Sequence, residues 1–247
     1  MDNCIILVPL HPHKLADYEI LSWMQLVKIY GYHEYCPICY VYPKCLGDIQ
    51  TYIDEYNIPT HYYIYWPVDD YVFSSYENYN LYFGINETTY KFCLQNKFEW
   101  CLIYQLDAFV VRDEIQFWID KGYDYYGGVD TLISGDLITY VYNGGFSLRN
   151  CQEILKILDD NPFQYGNLSI PTEDWYISQR CKNIIPGYEA IFFAVSSHFD
   201  FIQYALLGDK LAFGYHGLKS TNMYNFCKRI YDYQALEEGN IQTIDKL

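Results

Sequence analysis

The chain is short of positive charge. Its 247 residues hold 16 Lys and Arg against 31 Asp and Glu, a formal net charge of −15. A nucleic-acid surface needs basic side chains to neutralise phosphates, so this balance excludes a broad one. An anionic ligand would need a metal or a local cluster of donors. No stretch of about eighteen apolar residues occurs, so no transmembrane segment is expected. No G-x-G-x-x-G follows the first apolar run, residues 4–10, which argues against a dinucleotide site. There is no internal repeat and no Pro- or Ser-rich linker. The expectation is one α/β domain over residues 1–236 and a polar tail over 237–247. The paired spacing of a zinc ribbon is missing as well. Nine cysteines are scattered, and Cys36-Pro-Ile-Cys39 has no second pair. It reads as two buried thiols near a strand start rather than a redox motif. The odd count and the want of a secretory signal lead to the expectation of a reducing, cytoplasmic compartment.

What is present is apolar and aromatic: 51% hydrophobic residues, 20% aromatic, 30 of them Tyr. Such a chain can bury a large core. Apolar runs at 4–10, 38–42 and 61–66 read as strands, and 17–30 and 48–56 as helices. Strands alternating with helices predict a mainly parallel sheet flanked by helices. Residues 67–78 read as a loop and 79–96 as helix. Farther on, 114–121 and 151–158 read as helices, 123–129 as a strand and 130–136 as a loop. Residues 138–142 read as an edge strand, 159–171 as a long loop, and 190–196 and 211–215 as short strands. Thr172 is placed to cap a helix that begins with two acids.

One carboxylate interrupts the apolar run 100–111. Asp107 stands there with Gln105 two residues before it. In a continuous strand the two share a face and lie ~6.6 Å apart. A charge inside an apolar run is costly unless paired or bound to metal. A divalent cation carrying a diphosphate would meet that need; so would a strand-end Asp capping a turn. Asn143-Gly-Gly145 suits a tight turn where backbone N–H groups approach a ligand. Arg149 could reach a phosphate or sit in a surface ion pair. His11 and His13 follow the first strand, where they could line a nucleotide site or stand in a solvated loop.

Tyr104-Gln-Leu-Asp-Ala-Phe109, Tyr123-Asp-Tyr-Tyr-Gly-Gly128, Asn143-Gly-Gly-Phe-Ser-Leu-Arg149 and Glu173-Asp-Trp-Tyr176 occur in that order, with His216 after them. Together they resemble glycosyltransferases of the GT-A fold, and more specifically a family known mainly as a domain of unknown function. The resemblance runs over residues 5–216 and is strongest over 104–178. It implies a single GT-A-type domain: a mainly parallel nucleotide-binding sheet with a small antiparallel edge portion.

The resemblance also implies a chemistry. A nucleotide-diphosphate sugar, with UDP as the expected nucleotide, would give up its hexosyl or pentosyl group to a hydroxyl of a glycan, lipid-linked or protein acceptor. Pro9, His11, Gln105, Asp107, Asn143, Gly144 and Gly145 would bind the donor. Asp107 and His216 would hold Mn²⁺ or Mg²⁺. Gln105 stands where the family's D-x-D has its first acid, which leaves Asp107 as the charged ligand. Asp174 would be the general base of an inverting displacement, with Glu173 as its partner or as the base itself. The acceptor would approach from residues 130–134 and 161–171, with Trp175 available to stack on a sugar. Two rivals stand beside this reading. One is a GT-A-like module that binds a glycan or a protein without turnover. The other is a nucleotidyltransferase, disfavoured because the loop Pro9-Leu-His-Pro-His-Lys14 is not Gly-rich.

Overall fold

Strand β1 (Cys4–Pro9) is buried along its whole length, as a near-continuous apolar run in a parallel sheet must be. In the computed structural model, which describes residues 3–59, 63–134, 137–162, 172–196 and 210–244, it sits inside a nine-stranded sheet. Side chains are described for these residues except 130–141 and 238–244. The other strands are β2 (Ile38–Pro43), β3 (Tyr63–Val68), β4 (Trp100–Tyr104), β5 (Ala108–Val110), β6 (Tyr125–Ser134), β7 (Leu137–Asn150), β8 (Ala194–Val195) and β9 (Gly214–His216). The order across the sheet is β3-β2-β1-β4-β7-β6-β8-β9-β5. The first four are parallel; β7 and the edge strand β5 run antiparallel to their neighbours.

The period-two alternation of each strand sorts its side chains between two apolar layers. Ile6 and Val8 of β1, with Tyr40 and Leu102, pack with Trp23 and Leu26 of helix α1 (Asp17–Tyr30). Ile5 and Leu7, with Val41 and Ile103, pack on the other face with Cys93 of α4 (Thr88–Gln95) and Ile154 of α6 (Cys151–Asp160). The other α-helices among the described residues are α2 (Ile49–Glu55), α3 (Tyr76–Asn80), α5 (Ile115–Asp120), α7 (Glu173–Ser178), α8 (Gly187–Phe193) and α9 (Thr221–Ile244). One π-helical turn, Leu81–Ile85, joins α3 to α4. Cys36 and Cys39 are buried free thiols.

Several sequence expectations are corrected. The run 100–111 is two strands broken at Gln105–Asp107, not one. Residues 130–134 continue β6 and belong to a hairpin with β7, not to a loop. Residues 138–142 are part of the longer strand β7 and pair with β6 alone, while β7 meets β4 through residues 146–150. Most of 190–196 is helix α8, begun after Pro186; only Ala194 and Val195 are strand. An apolar run that short has no period to tell helix from strand. Thr172 occupies the N-cap of α7 with no side-chain capping bond. The segment from Glu237 is helical through Ile244.

Candidate active site

The site begins in the turn between β4 and β5. Ala108 N–H donates to Gln105 O at 2.8 Å, which closes the turn. Gln105 and Asp107 therefore leave the strand rather than share its face. The Asp107 carbonyl accepts from the N–H groups of Gly217 (2.8 Å) and Leu218 (2.9 Å), which fastens the chain after β9 against this turn. That contact delivers two side chains to the Asp107 carboxylate. His216 Nε2 lies 3.1 Å from Oδ1, and Lys219 Nζ lies 3.4 Å from Oδ2. Burial pushes the Asp107 carboxyl up, but the charges and hydrogen bonds of His216 and Lys219 outweigh it. The carboxyl sits well below the ordinary carboxylate range. Gln105 completes the group. Its Nε2 donates to Tyr79 OH at 2.8 Å, and its Oε1 lies 3.2 Å from His216 Nε2.

The Asn143-Gly-Gly145 stretch is a bulge inside β7, not a turn. Gly127 of β6 is paired with Ser147 and the next residue, Gly128, with Asn143, so residues 144–146 are extra on β7. Asn143 Oδ1 accepts from Gly145 N–H at 2.8 Å, and Gly145 O accepts from Gln105 N–H at 2.9 Å. Both glycines are required by close approach. A Cβ on Gly145 would overlap His216 Nε2 and lie 2.5 Å from Gln105 Oε1; one on Gly144 would overlap Glu173 Oε1.

Behind the bulge lies Arg149, fully buried. It does not reach the surface. Its Nε donates to Ser147 Oγ (2.9 Å), its Nη1 to Phe83 O and Tyr90 OH (both 2.8 Å), and its Nη2 to Gly144 O (3.4 Å). Glu173 Oε1 lies 3.6 Å from Nη2. Glu173 is itself buried, its stem against Gly84, where a side chain could not fit. Burial first, then the neighbouring Asp174, raises the Glu173 carboxyl; Arg149 opposes them and loses. Asp174 is the half-exposed member of the pair. Its Oδ2 accepts from Gly144 N–H at 3.2 Å, and Trp175 beside it is 51% exposed.

A cavity of about 360 Å³ opens at the carboxyl ends of β1 and β4. Pro9, His11, Gln105 and Asp107 line it, together with Glu19, Tyr76, Tyr79 and Lys219. His11 stacks on Tyr79 (ring centroids 5.9 Å), and burial lowers its pKa. His13 does not line it but pairs with Glu19 at 3.1 Å. Asn143, Gly144, Gly145 and His216 do not line it; the glycine bulge and His216 stand against Gln105 and Asp107 through the contacts above. Lys219 and Tyr79 are additions the sequence reading missed. The one signal for Lys219 was its place three residues after His216; nothing in the sequence marked Tyr79. Of the expected acceptor segments, 130–134 forms strand, and 163–171 lies outside the described residues.

Asp107 Oδ1, His216 Nε2 and Gln105 Oε1 are the candidate cation ligands. Oδ1 and Oε1 lie 3.1 and 3.2 Å from Nε2. Adjacent ligands of an octahedral ion at ~2.1 Å lie ~3.0 Å apart, so each oxygen fits beside Nε2. Gln105 can serve as a neutral oxygen ligand because Tyr79 takes its N–H group. The remaining His216 nitrogen, Nδ1, is buried with no hydrogen-bond partner, so the ring has no second anchor.

A family model described as a protein of unknown function, DUF5672, matches residues 65–216. No curated protein matches the chain. Among solved structures, the galactosyltransferase LgtC, in complex with donor and acceptor sugar analogues, aligns over 86% of each chain with TM-score 0.53 and 12% identity. Mouse xyloside xylosyltransferase 1 aligns over 90% of this chain and 98% of its own, with TM-score 0.54 and 8% identity. The bifunctional glycosyltransferase WbbM aligns over 87% of this chain and 45% of its own, with TM-score 0.50 and 9% identity. The fold is thus of the GT-A glycosyltransferase type.

Proposed function

The chain belongs to the DUF5672 family, and we propose that it transfers a sugar from a nucleotide-diphosphate donor to an acceptor hydroxyl. One observation carries the reading. Gln105, Asp107 and Lys219, from two distant segments, line the cavity at the carboxyl ends of β1 and β4, and His216 meets Asp107 and Gln105 beside it. Ligands of open α/β sheets bind at those strand ends. The donor, a UDP-sugar, lies across Pro9 and His11 with its diphosphate at Asp107 and Lys219. Asp107 and His216, with Gln105, would hold Mn²⁺ or Mg²⁺, the imidazole favouring Mn²⁺; a cation bound there would supply positive charge to the departing diphosphate.

Asp174 takes the acceptor's proton. The freed oxygen attacks the anomeric carbon, the bond from that carbon to the diphosphate breaks, and its electron pair leaves on the diphosphate, giving inversion. Asp174 is favoured over Glu173 because it is half-exposed, whereas Glu173 is buried behind it. Glu173 positions the Gly144 backbone that holds Asp174. Lys219 supports a second reading: its ammonium alone neutralises the diphosphate, and transfer needs no metal.

Thermal unfolding against a panel of nucleotide sugars, with and without Mn²⁺, tests this. A ligand at a hundredfold its Kd stabilises by ~2.7 kcal/mol. The expected result is a Mn²⁺-dependent shift with one sugar nucleotide, lost in Asp107→Ala. Asp174→Asn should keep the shift and lose turnover by about 10²–10⁴-fold. A shift indifferent to Mn²⁺ would select the metal-free reading. No shift with any nucleotide sugar would leave a binding module without turnover.

A further inference from the structure

Three thiols outside the candidate active site converge from three elements. Cys93 lies on α4, Cys101 on β4, and Cys151 opens α6. All three are fully buried free thiols. Their Sγ atoms lie within 4.8 Å of one another. An ion at the centre of this triangle reaches all three sulfurs. It needs no open cavity, because a structural metal is enclosed as the chain folds around it. At a metal–sulfur distance of ~2.3 Å, three thiolates around one ion lie ~4.0 Å apart, so the triangle need only draw in slightly. Among the described residues no fourth Cys, His or carboxylate joins the group. An all-sulfur shell selects a soft ion over Mg²⁺ or Mn²⁺.

The surroundings favour thiolates. In the antiparallel pairing of β4 with β7, Cys101 stands directly opposite Arg149, so both side chains lie on one face of the sheet. The hydrogen bonds of the guanidinium go to neutral acceptors on Ser147, Phe83, Tyr90 and Gly144, and Glu173 stands off at 3.6 Å. Its positive charge is therefore only partly offset. Cys151 sits at the N-terminus of α6, whose partial positive charge also stabilises a thiolate. Three thiolates around a divalent ion leave one net negative charge, which a guanidinium can balance; a monovalent ion would leave two.

We propose that Cys93, Cys101 and Cys151 bind one soft divalent cation, of the class of Zn²⁺ and Cd²⁺, as a structural metal that ties α4 and α6 to β4. The site is separate from Asp107 and His216 and takes part in no transfer step.

Cd²⁺ is the probe, because sulfur ligation gives it a thiolate-to-metal charge-transfer band in the ultraviolet. The full chain is unfolded in urea with a phosphine reductant and refolded with and without Cd²⁺. The expected result is a band that saturates at one Cd²⁺ per chain, with three sulfurs counted around the ion by X-ray absorption. In the ¹³C-labelled chain the Cβ signals of Cys93, Cys101 and Cys151 should move and those of the other cysteines should stay. Cys101→Ser should lose the band. Cys4→Ser/Cys36→Ser, at buried thiols of the opposite apolar layer, should keep it, and so should Asp107→Ala. If Cys101→Ser fails to fold, the wild-type Cβ signals decide. No band at one equivalent, fewer than three sulfurs, or movement of other cysteines instead overturns the proposal. Asp107, His216 and Gln105 carry no sulfur, so these outcomes are independent of the transferase reading.

Discussion

Two buried charged clusters share the Gly144-Gly145 bulge and differ in how completely they are satisfied. On one side, Arg149 spends all three guanidinium nitrogens on protein acceptors and sees no solvent. On the other, Asp107, Gln105 and Lys219 border a cavity with His216 against them, and His216 Nδ1 has no hydrogen-bond partner among the described residues. A closed network of this kind fixes a shape. A network with free valence beside a cavity is one that a ligand can complete. The contrast teaches that buried charge marks a functional site only where something is left to bind.

The largest break in that contrast is Arg149→Met. It leaves Glu173 and the Phe83 and Gly144 carbonyls unpaired in the interior, and should destabilise by about 3–5 kcal/mol in urea unfolding. Gly145→Ala acts on the open cluster instead. Its methyl displaces His216 and Gln105, so the Mn²⁺- and donor-dependent stabilisation of ~2.7 kcal/mol should vanish in the thermal assay while the protein still folds.

The third test is pH, where the two clusters have opposite signs. Glu173 is raised when folded. Its contribution is complete below the ordinary glutamate pKa of ~4.3 and is lost as pH rises through the folded value, so Glu173→Gln should remove a decline of stability above that point. Asp107 is lowered when folded. Its contribution is complete above the ordinary aspartate pKa of ~3.9 and is lost as pH falls toward the folded value, so Asp107→Asn should flatten the acid limb. Urea unfolding across pH reads both. The smallest effect belongs to Tyr79→Phe. Removing the hydroxyl that holds Gln105 should cost about 1 kcal/mol in unfolding and weaken Mn²⁺-dependent donor binding.

Much of the first half of the fold was legible because its signals are local. The bounds of α1 follow from apolar spacing, and β1 and β2 from unbroken apolar runs. Farther on, short apolar runs misled: residues 190–196 carry the same residue types whether they coil or extend. Residues 130–134 of β6 were read as part of a loop because Asp130 and Ser134 imitate a turn, while 123–129 and 138–142 were read as strands. In the site, Asp107, His216 and the glycines stood out as charge or flexibility in apolar surroundings. Arg149 did not declare itself buried, because nothing nearby in sequence is its partner except Ser147 and Gly144.

The sequence by itself determined the alternation of strands and helices, the acidic surface charge and the order of the motifs, since each depends on neighbours along the chain. Only the tertiary structure decided that Lys219 reaches Asp107, that Tyr79 turns the Gln105 amide, and that Arg149 is closed behind the bulge. Each of those pairs joins segments brought together by sheet order or, for Arg149, by a β-bulge. Such contacts follow from the whole sheet's packing rather than from any local pattern of residues.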